Sequence, residues 1–363
     1  MKKHNLIVFC ILVATTRTPR SIANETPDAL TCSGQTQYNW ATYRGKTGNS
    51  VSHPANAVAI DCVNDGLTYS AAAMLRNPDN DSASGDSLVL RQFAVSDNSG
   101  QTIWTAGMLH NATGIAGANH TFWYNAYPNG EPTVLVDWRS TDSLMIQQLI
   151  GVTVRHNLSM GKGILEISNT LGWSVDSQFR LFGKRLNGYG LSAGRGVGTT
   201  PSFLSDVTYV ENDASGGNWS IGGQGGRLAE GYGGQVDAES RIGLHIERTV
   251  MHSDGSSTYF GSELYRITNQ RGIRMQSSYL VGTIGLIHTR SINERVGAYL
   301  ASSFNGDSID GMFASVETGL RWTIIKNLCL TGATGYEKPL GGGLPQSDQF
   351  GFYGGIQYKF DSR

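Results

Sequence analysis

The chain has 363 residues, room for one large β domain or two ordinary ones, with 16% charged residues and 47 glycines scattered without a period. Its net charge is −1 and it has no long basic run, which argues against a nucleic-acid partner. No Cys/His spacing matches a zinc site and no motif calls for a cofactor, so no metal or cofactor is expected.

The first residues, MKKHNLIVFCILVA, join two lysines to a short apolar stretch from Leu6 to Ala14. That stretch is too short to span a bilayer but suits the core of a signal peptide. Small residues at Ser21-Ile22-Ala23 place the expected cleavage before Asn24, so residues 1–23 read as a removable export signal. Beyond it lie Cys32, Cys62 and Cys329. An oxidising compartment favours a Cys32–Cys62 disulfide, the alternative being three unpaired packing residues. Residues 24–64 lack clean alternation and read as a periplasmic extension, or a plug held by that disulfide; residues 65–363 read as the main domain.

From there on the recurring signal has period two. Val134, Val136 and Trp138 oppose Asp137 and Arg139; Ile150, Val152 and Val154 oppose Gln147, Thr153 and Arg155. The pattern sharpens at Arg241–Glu247, at Val296–Phe304 and at Val316–Trp322. Residues 88–127 are less regular and leave room for a separate β domain. Asn305-Gly306-Asp307 and Ser253-Asp254-Gly255 read as hairpin turns, and Asp213–Tyr232 as a long external loop.

Alternation alone fits a secreted β-sandwich, whose apolar face turns inward. It also fits a transmembrane β-barrel, whose apolar face meets lipid. Charged or glycine residues on the polar face, aromatics near segment ends (Trp138, Phe304, Trp322, Phe352, Phe360) and lengths of about 9–12 residues favour the barrel. We therefore expect an all-β antiparallel transmembrane barrel of about 14 strands, with 12 or 16 also fitting. Parity then turns Arg241, His245, Glu247, Arg274, Glu317 and Arg321 into the lumen.

Three motifs invite other chemistry. Gly190-Leu191-Ser192-Ala193-Gly194 matches the G-x-S-x-G nucleophile elbow, yet a glycine-rich, Pro201-bearing stretch follows where that site needs a helix. His156 and Ser159 could form a base and nucleophile of a barrel-embedded lipid or lipopolysaccharide hydrolase. A spacing of three puts them on opposite faces of a strand, so residues 155–161 read more simply as a polar turn. Gly222-Gly223-Gln224-Gly225-Gly226 lacks the Lys-Ser/Thr and helix of a phosphate loop and reads as bends.

The chain closes on Tyr353-Gly354-Gly355-Ile356-Gln357-Tyr358-Lys359-Phe360, then Asp361-Ser362-Arg363. This resembles the terminal β-signal of bacterial outer-membrane barrels, with Gly355, Tyr358 and Phe360 at the matching positions. The weakly polar Tyr353 and the three-residue tail depart from the pattern. The resemblance implies residence in the bacterial outer membrane, contact with its lipid, and recognition by the barrel assembly machinery. Phe350, Phe352, Ile356, Tyr358 and Phe360 would then face lipid, with Gln357 and Lys359 facing the lumen. The leading expectation is a channel for a solute or an exported molecule; a hydrolase and a closed adhesin-like or structural barrel are the alternatives. No signal in the chain sets a subunit number.

Overall fold

The structure, a computed structural model, describes residues 30–45, 50–52, 55–76, 87–98, 100–111, 147–175, 180–182, 197–228, 239–269, 278–308, 311–341 and 348–361. The export signal, Arg274, Trp138 and the Gly190–Gly194 motif lie outside these residues.

The described chain is strand after strand. β1 (Thr31–Gly45), β2 (Ser50–Ser52), β3 (Ala55–Asn64), β4 (Leu67–Arg76), β5 (Ser87–Asp97) and β6 (Thr102–Asn111) form the first part. β7 (Gln147–Met160), β8 (Gly163–Val175), β9 (Arg180–Phe182), β10 (Val197–Asn212), β11 (Asn218–Leu228) and β12 (Glu239–Met251) follow. β13 (Ser257–Asn269), β14 (Ser278–Ser291), β15 (Val296–Asp307), β16 (Gly311–Ile325), β17 (Leu328–Gly341) and β18 (Gln349–Asp361) complete it. Each long strand pairs antiparallel with the next, β8 joins β10, and β18 returns to β1 from Ser33↔Asp361 to Gly45↔Gln349. One closed sheet results, not the two stacked sheets of a sandwich.

The barrel has sixteen strands, with β2 and β9 as two short additions, rather than about fourteen. The difference comes from the N-terminal region. Residues 31–64, expected outside the barrel, supply β1 and β3, which pair with each other and with the closing strand. Their sequence hid this because both faces carry small and polar residues, so period two shows no amplitude. Cys32 and Cys62 face each other across β1 and β3 and form a disulfide with Cα atoms 4.1 Å apart. Cys329 is free and buried.

Turns at one end are short. Asp65-Gly66 joins β3 to β4 with φ of 47° and 74°, the left-handed pair of a type I′ hairpin. The short β5–β6 connection, Gly161-Lys162, Asp213–Gly217, His252–Ser256, residues 292–295 and Lys326-Asn327 lie at the same end, where β1 begins and β18 finishes. Connections at the opposite end are mostly longer. That asymmetry belongs to transmembrane barrels, which have short periplasmic turns and longer external loops.

Several local expectations shift. Ser253-Asp254-Gly255 is a turn, but Asn305-Gly306-Asp307 ends β15 and the chain reverses just after it. The glycine run 222–226 lies inside β11, and the supposed loop from Asp213 becomes a tight turn followed by that strand. Residues 155–160 continue β7 instead of turning. Glycine weakens strand propensity, which misled the reading; closure of the sheet on both sides overrides it.

The side chains are sorted opposite to those of a soluble fold. Outward positions carry Leu244 (70% exposed), Ile242 (67%), Leu264, Leu300, Leu320 and Ile356. Inward positions hold Gln224, Arg241, His245, Glu263, Ser303, Ser315 and Glu317, all buried. Aromatics rim this apolar band on both sides: Tyr69, Trp104, Trp322 and Tyr358 near the short turns, and Trp173, Phe203, Phe304, Phe350 and Phe352 near the far end. A continuous apolar surface of this extent is costly in water and stable only when covered by lipid.

Candidate functional site: the inner wall of the barrel

The wall is built by direct cross-strand pairing of inward side chains. Thr153 and Thr170 share a hydrogen bond of 2.8 Å between β7 and β8; Ser303 and Ser315 do the same at 2.8 Å between β15 and β16. Ser257 and Thr289 meet at 2.7 Å, and at the closing seam Gln357 donates from Nε2 to Gln35 Oε1 at 3.0 Å. These ladders tie the strands together through the polar face, as cross-strand pairs do in any sheet.

Charged groups concentrate on β10–β16. Arg241, Gly243, His245 and Glu247 occupy successive inward positions of β12. His245 Nε2 lies 3.5 Å from Asp206 Oδ2 and 3.3 Å from Thr208 Oγ1, and Thr208 donates to Asp206 Oδ1 at 2.7 Å. Glu263 stands beside His245 in register on β13. Two carboxylates accept phenolic protons: Tyr259 donates to Glu247 Oε2 at 3.0 Å, and Tyr299 to Glu317 Oε1 at 2.6 Å. Arg321 reaches Cys329 Sγ at 3.4 Å.

Glycine makes room for these groups. A side chain on Gly222 would collide with His245 and Thr208, one on Gly243 with the ring of Tyr265, and one on Gly319 with the ring of Tyr299. Each glycine is the register partner of the residue that lies over it. The rings therefore lie down along the wall.

Five of the six expected lumen residues fall on inward positions; Arg274 lies outside the described residues. Arg241, His245 and Glu317 are buried, while Glu247 and Arg321 are half-buried. The barrel brings His245 to Asp206 and Glu263 to His245, and leaves Glu317 and Arg321 four strands from β12. The wall also differs around its circumference. Inward residues on β13–β16 such as Glu263, Tyr265 and Ala301 are covered, whereas Gln35, Ser70, Gln92, Thr331 and Gln357 retain partial exposure. Ser33, Asp61, Arg155 and Lys359 are exposed at the short-turn mouth.

Asp206, Gln224, Glu263, Tyr259, Tyr265 and Tyr299 were not assigned to the inner wall from sequence. β13 reads Thr258-Tyr259-Phe260-Gly261-Ser262-Glu263-Leu264-Tyr265-Arg266, with apolar and polar residues on both faces. Only the neighbouring β12, with its clean alternation, could have set its phase.

His156 and Ser159 are not brought together. His156 faces outward, where Nδ1 meets Thr102 Oγ1 at 2.7 Å, and Ser159 sits on the opposite parity.

No protein-family model and no curated protein matches the chain. Solved structures do. An anion-selective porin from Comamonas acidovorans matches with a TM-score of 0.58 at 12% identity, covering 92% of this chain and 99% of that one. OmpT, an outer membrane protein of Vibrio cholerae, matches at 0.55 and 9% identity, covering 93% and 99%. The outer membrane channel DcaP of Acinetobacter baumannii matches at 0.53 and 12% identity, again covering 93% and 99%. The chain is a closed antiparallel β-barrel with the fold of the outer-membrane porins.

Proposed function

We propose that this barrel sits in a bacterial outer membrane and gives small polar solutes a passage across it. The observation that carries this reading is the sixteen-stranded closure around a polar inner wall. Sixteen strands at about 4.8 Å spacing and about 40° tilt enclose a backbone radius of about 16 Å. Barrels of that size leave an aqueous lumen.

The mixed charges of Arg241, His245, Glu247, Glu317 and Arg321 set a field across the lumen, which orients polar solutes instead of selecting by one sign. On sequence parity Arg274 belongs with them. The free path for a solute runs along the less covered sector, where Gln35, Ser70, Thr331 and Gln357 offer neutral donors and acceptors. Gly355, Tyr358 and Phe360 on β18 form the segment read by the assembly machinery, and residues 1–23 are the export signal.

Liposomes containing the refolded protein test the reading. They should swell in isotonic solutions of small sugars, progressively more slowly as solute size rises. Swelling no faster than empty liposomes would overturn it.

A further inference from the structure

Two histidines meet on the outer surface of the barrel at its short-turn end. His252 opens the turn between β12 and β13, and His288 lies on β14 as the register partner of Thr258 on β13. All three have outward parity: Thr258 pairs with Val250 of β12, while Tyr259 and Ile287 beside them point inward and are buried. His252 is exposed; Thr258 and His288 are half-buried.

The two rings aim at one point. His252 Nε2 lies 2.8 Å from Thr258 Oγ1, and His288 Nδ1 lies 3.0 Å from the same oxygen. The ring centres are 5.9 Å apart, with the planes inclined at 53°. Two imidazoles bound to one zinc ion at about 2.0–2.1 Å place their ring centres about 5–6 Å apart. The pair therefore stands at chelating distance already. A change of rotamer at the small Thr258 side chain clears the point on which the nitrogens converge.

The backbone beneath the pair is fixed. His252 N–H donates to Ser256 O at 2.8 Å, and Gly255 N–H donates to His252 O at 3.0 Å. Asp254 Oδ1 accepts from the Ser256 N–H at 3.0 Å and from its hydroxyl at 2.6 Å. His288 lies inside a strand paired on both sides. Little ordering entropy then opposes binding. Charge beside the pair comes from Asp254 in the turn and from Arg290, two residues along β14. Local spacing in the sequence does not show the pair, because only the register of β13 with β14 brings the turn to His288.

We propose that His252 and His288 form a two-imidazole site for a divalent transition-metal ion, zinc or copper(II), on the periplasmic rim of the barrel. Imidazole nitrogen suits these ions, whereas magnesium and calcium take oxygen ligands. Among the described residues no group of three His, Cys, Asp or Glu side chains is placed to hold an ion, so water fills the remaining coordination positions. The bound ion clamps the β12–β13 turn to β14. The site is independent of whether the lumen conducts.

The test is isothermal titration calorimetry of the full, untagged chain in detergent with zinc chloride, in a large excess of magnesium. The parent should show a zinc-binding component that His252→Gln and His288→Gln each weaken about tenfold or more, since either change turns a chelate into a single ligand. His156→Gln, which removes a lone outward imidazole on β7, should leave that component unchanged. Zinc should also raise the unfolding midpoint of the parent and not that of the two site variants. Heat-modifiable gel mobility and liposome swelling of all three variants should match the parent, which separates loss of the site from loss of the barrel or the channel. Unchanged zinc binding in either site variant would overturn the pairing, and displacement of zinc by magnesium would overturn imidazole ligation.

Discussion

The ring of Tyr265 lies across the Cα of Gly243, its register partner in the neighbouring strand. The same relation joins His245 to Gly222 and Tyr299 to Gly319. It gives part of the glycine excess a physical cause: a barrel wall lined with rings and long polar groups needs low ground beside each of them.

Gly243→Ala should therefore destabilise the barrel by about 1–3 kcal/mol, the usual cost of overpacking. Gly332→Ala, on an outward position with open space around the added methyl, should be neutral or slightly stabilising. Urea-unfolding midpoints of the two variants in detergent check the contrast; equal midpoints would break the packing argument.

The Cys32–Cys62 bridge spans 30 residues of sequence. Closing a loop of that length contributes about 3–4 kcal/mol in the chain-entropy model. Cys32→Ser, or reduction of the parent, should lower the unfolding midpoint accordingly and leave channel conductance intact, because the pair sits on the outward parity with Val58 and Ile60.

Lys359 and Lys338 separate inside from outside. Lys359 has inward parity and is exposed at the short-turn mouth; Lys338 points outward on β17. Lys359→Glu should shift the reversal potential in a salt gradient toward cations, and Lys338→Glu should leave it unchanged. Equal shifts would contradict the assignment of faces.

Phe360 rests on Gly34 of β1, across the seam that closes the barrel. Phe360→Asp puts a charge at the seam on the lipid side, which near the interface costs at most about 1 kcal/mol, and removes the terminal aromatic that packs on Gly34. The heat-modifiable fraction in outer membranes should fall sharply. Arg363→Ala should leave it at the parent level.

Two short turns share a carboxylate device. Asp213 accepts from the Ser215 hydroxyl at 2.5 Å and from the backbone N–H groups of Ser215 and Gly217; Asp254 does the same with Ser256. These donors, the serine hydroxyl first, hold both carboxyl groups below the ordinary carboxylate range, and Arg248 adds to the effect at Asp213. A depressed folded-state value gives stability that is present above the unfolded-state value and lost as pH falls through the folded one. The parent should therefore lose stability in acid, below about pH 4, and Asp213→Asn/Asp254→Asn should show a flatter acid limb. Identical limbs would show that the turns are not anchored in this way.

The parts of this fold visible in sequence were those with clean amplitude. β12, β16 and β18 place aliphatic or aromatic groups on one parity and charge or glycine on the other, and their faces could be assigned from residues alone. β1 and β3 carry small and polar residues on both faces, so pairing with β18 and β4 shows them to be strands where local pattern does not. β11 was hidden by its glycines, which read as bends until His245 is seen lying over Gly222. The inward set on β12 followed from parity. Its partners Asp206 and Glu263 could not, since only register brings β10 and β13 beside it.

The most direct test of the central claim is conductance of purified, heat-modifiable protein in a planar lipid bilayer. A water-filled lumen predicts discrete, ohmic steps at low voltage in simple salt. A silent bilayer from protein that is demonstrably folded and inserted would contradict it.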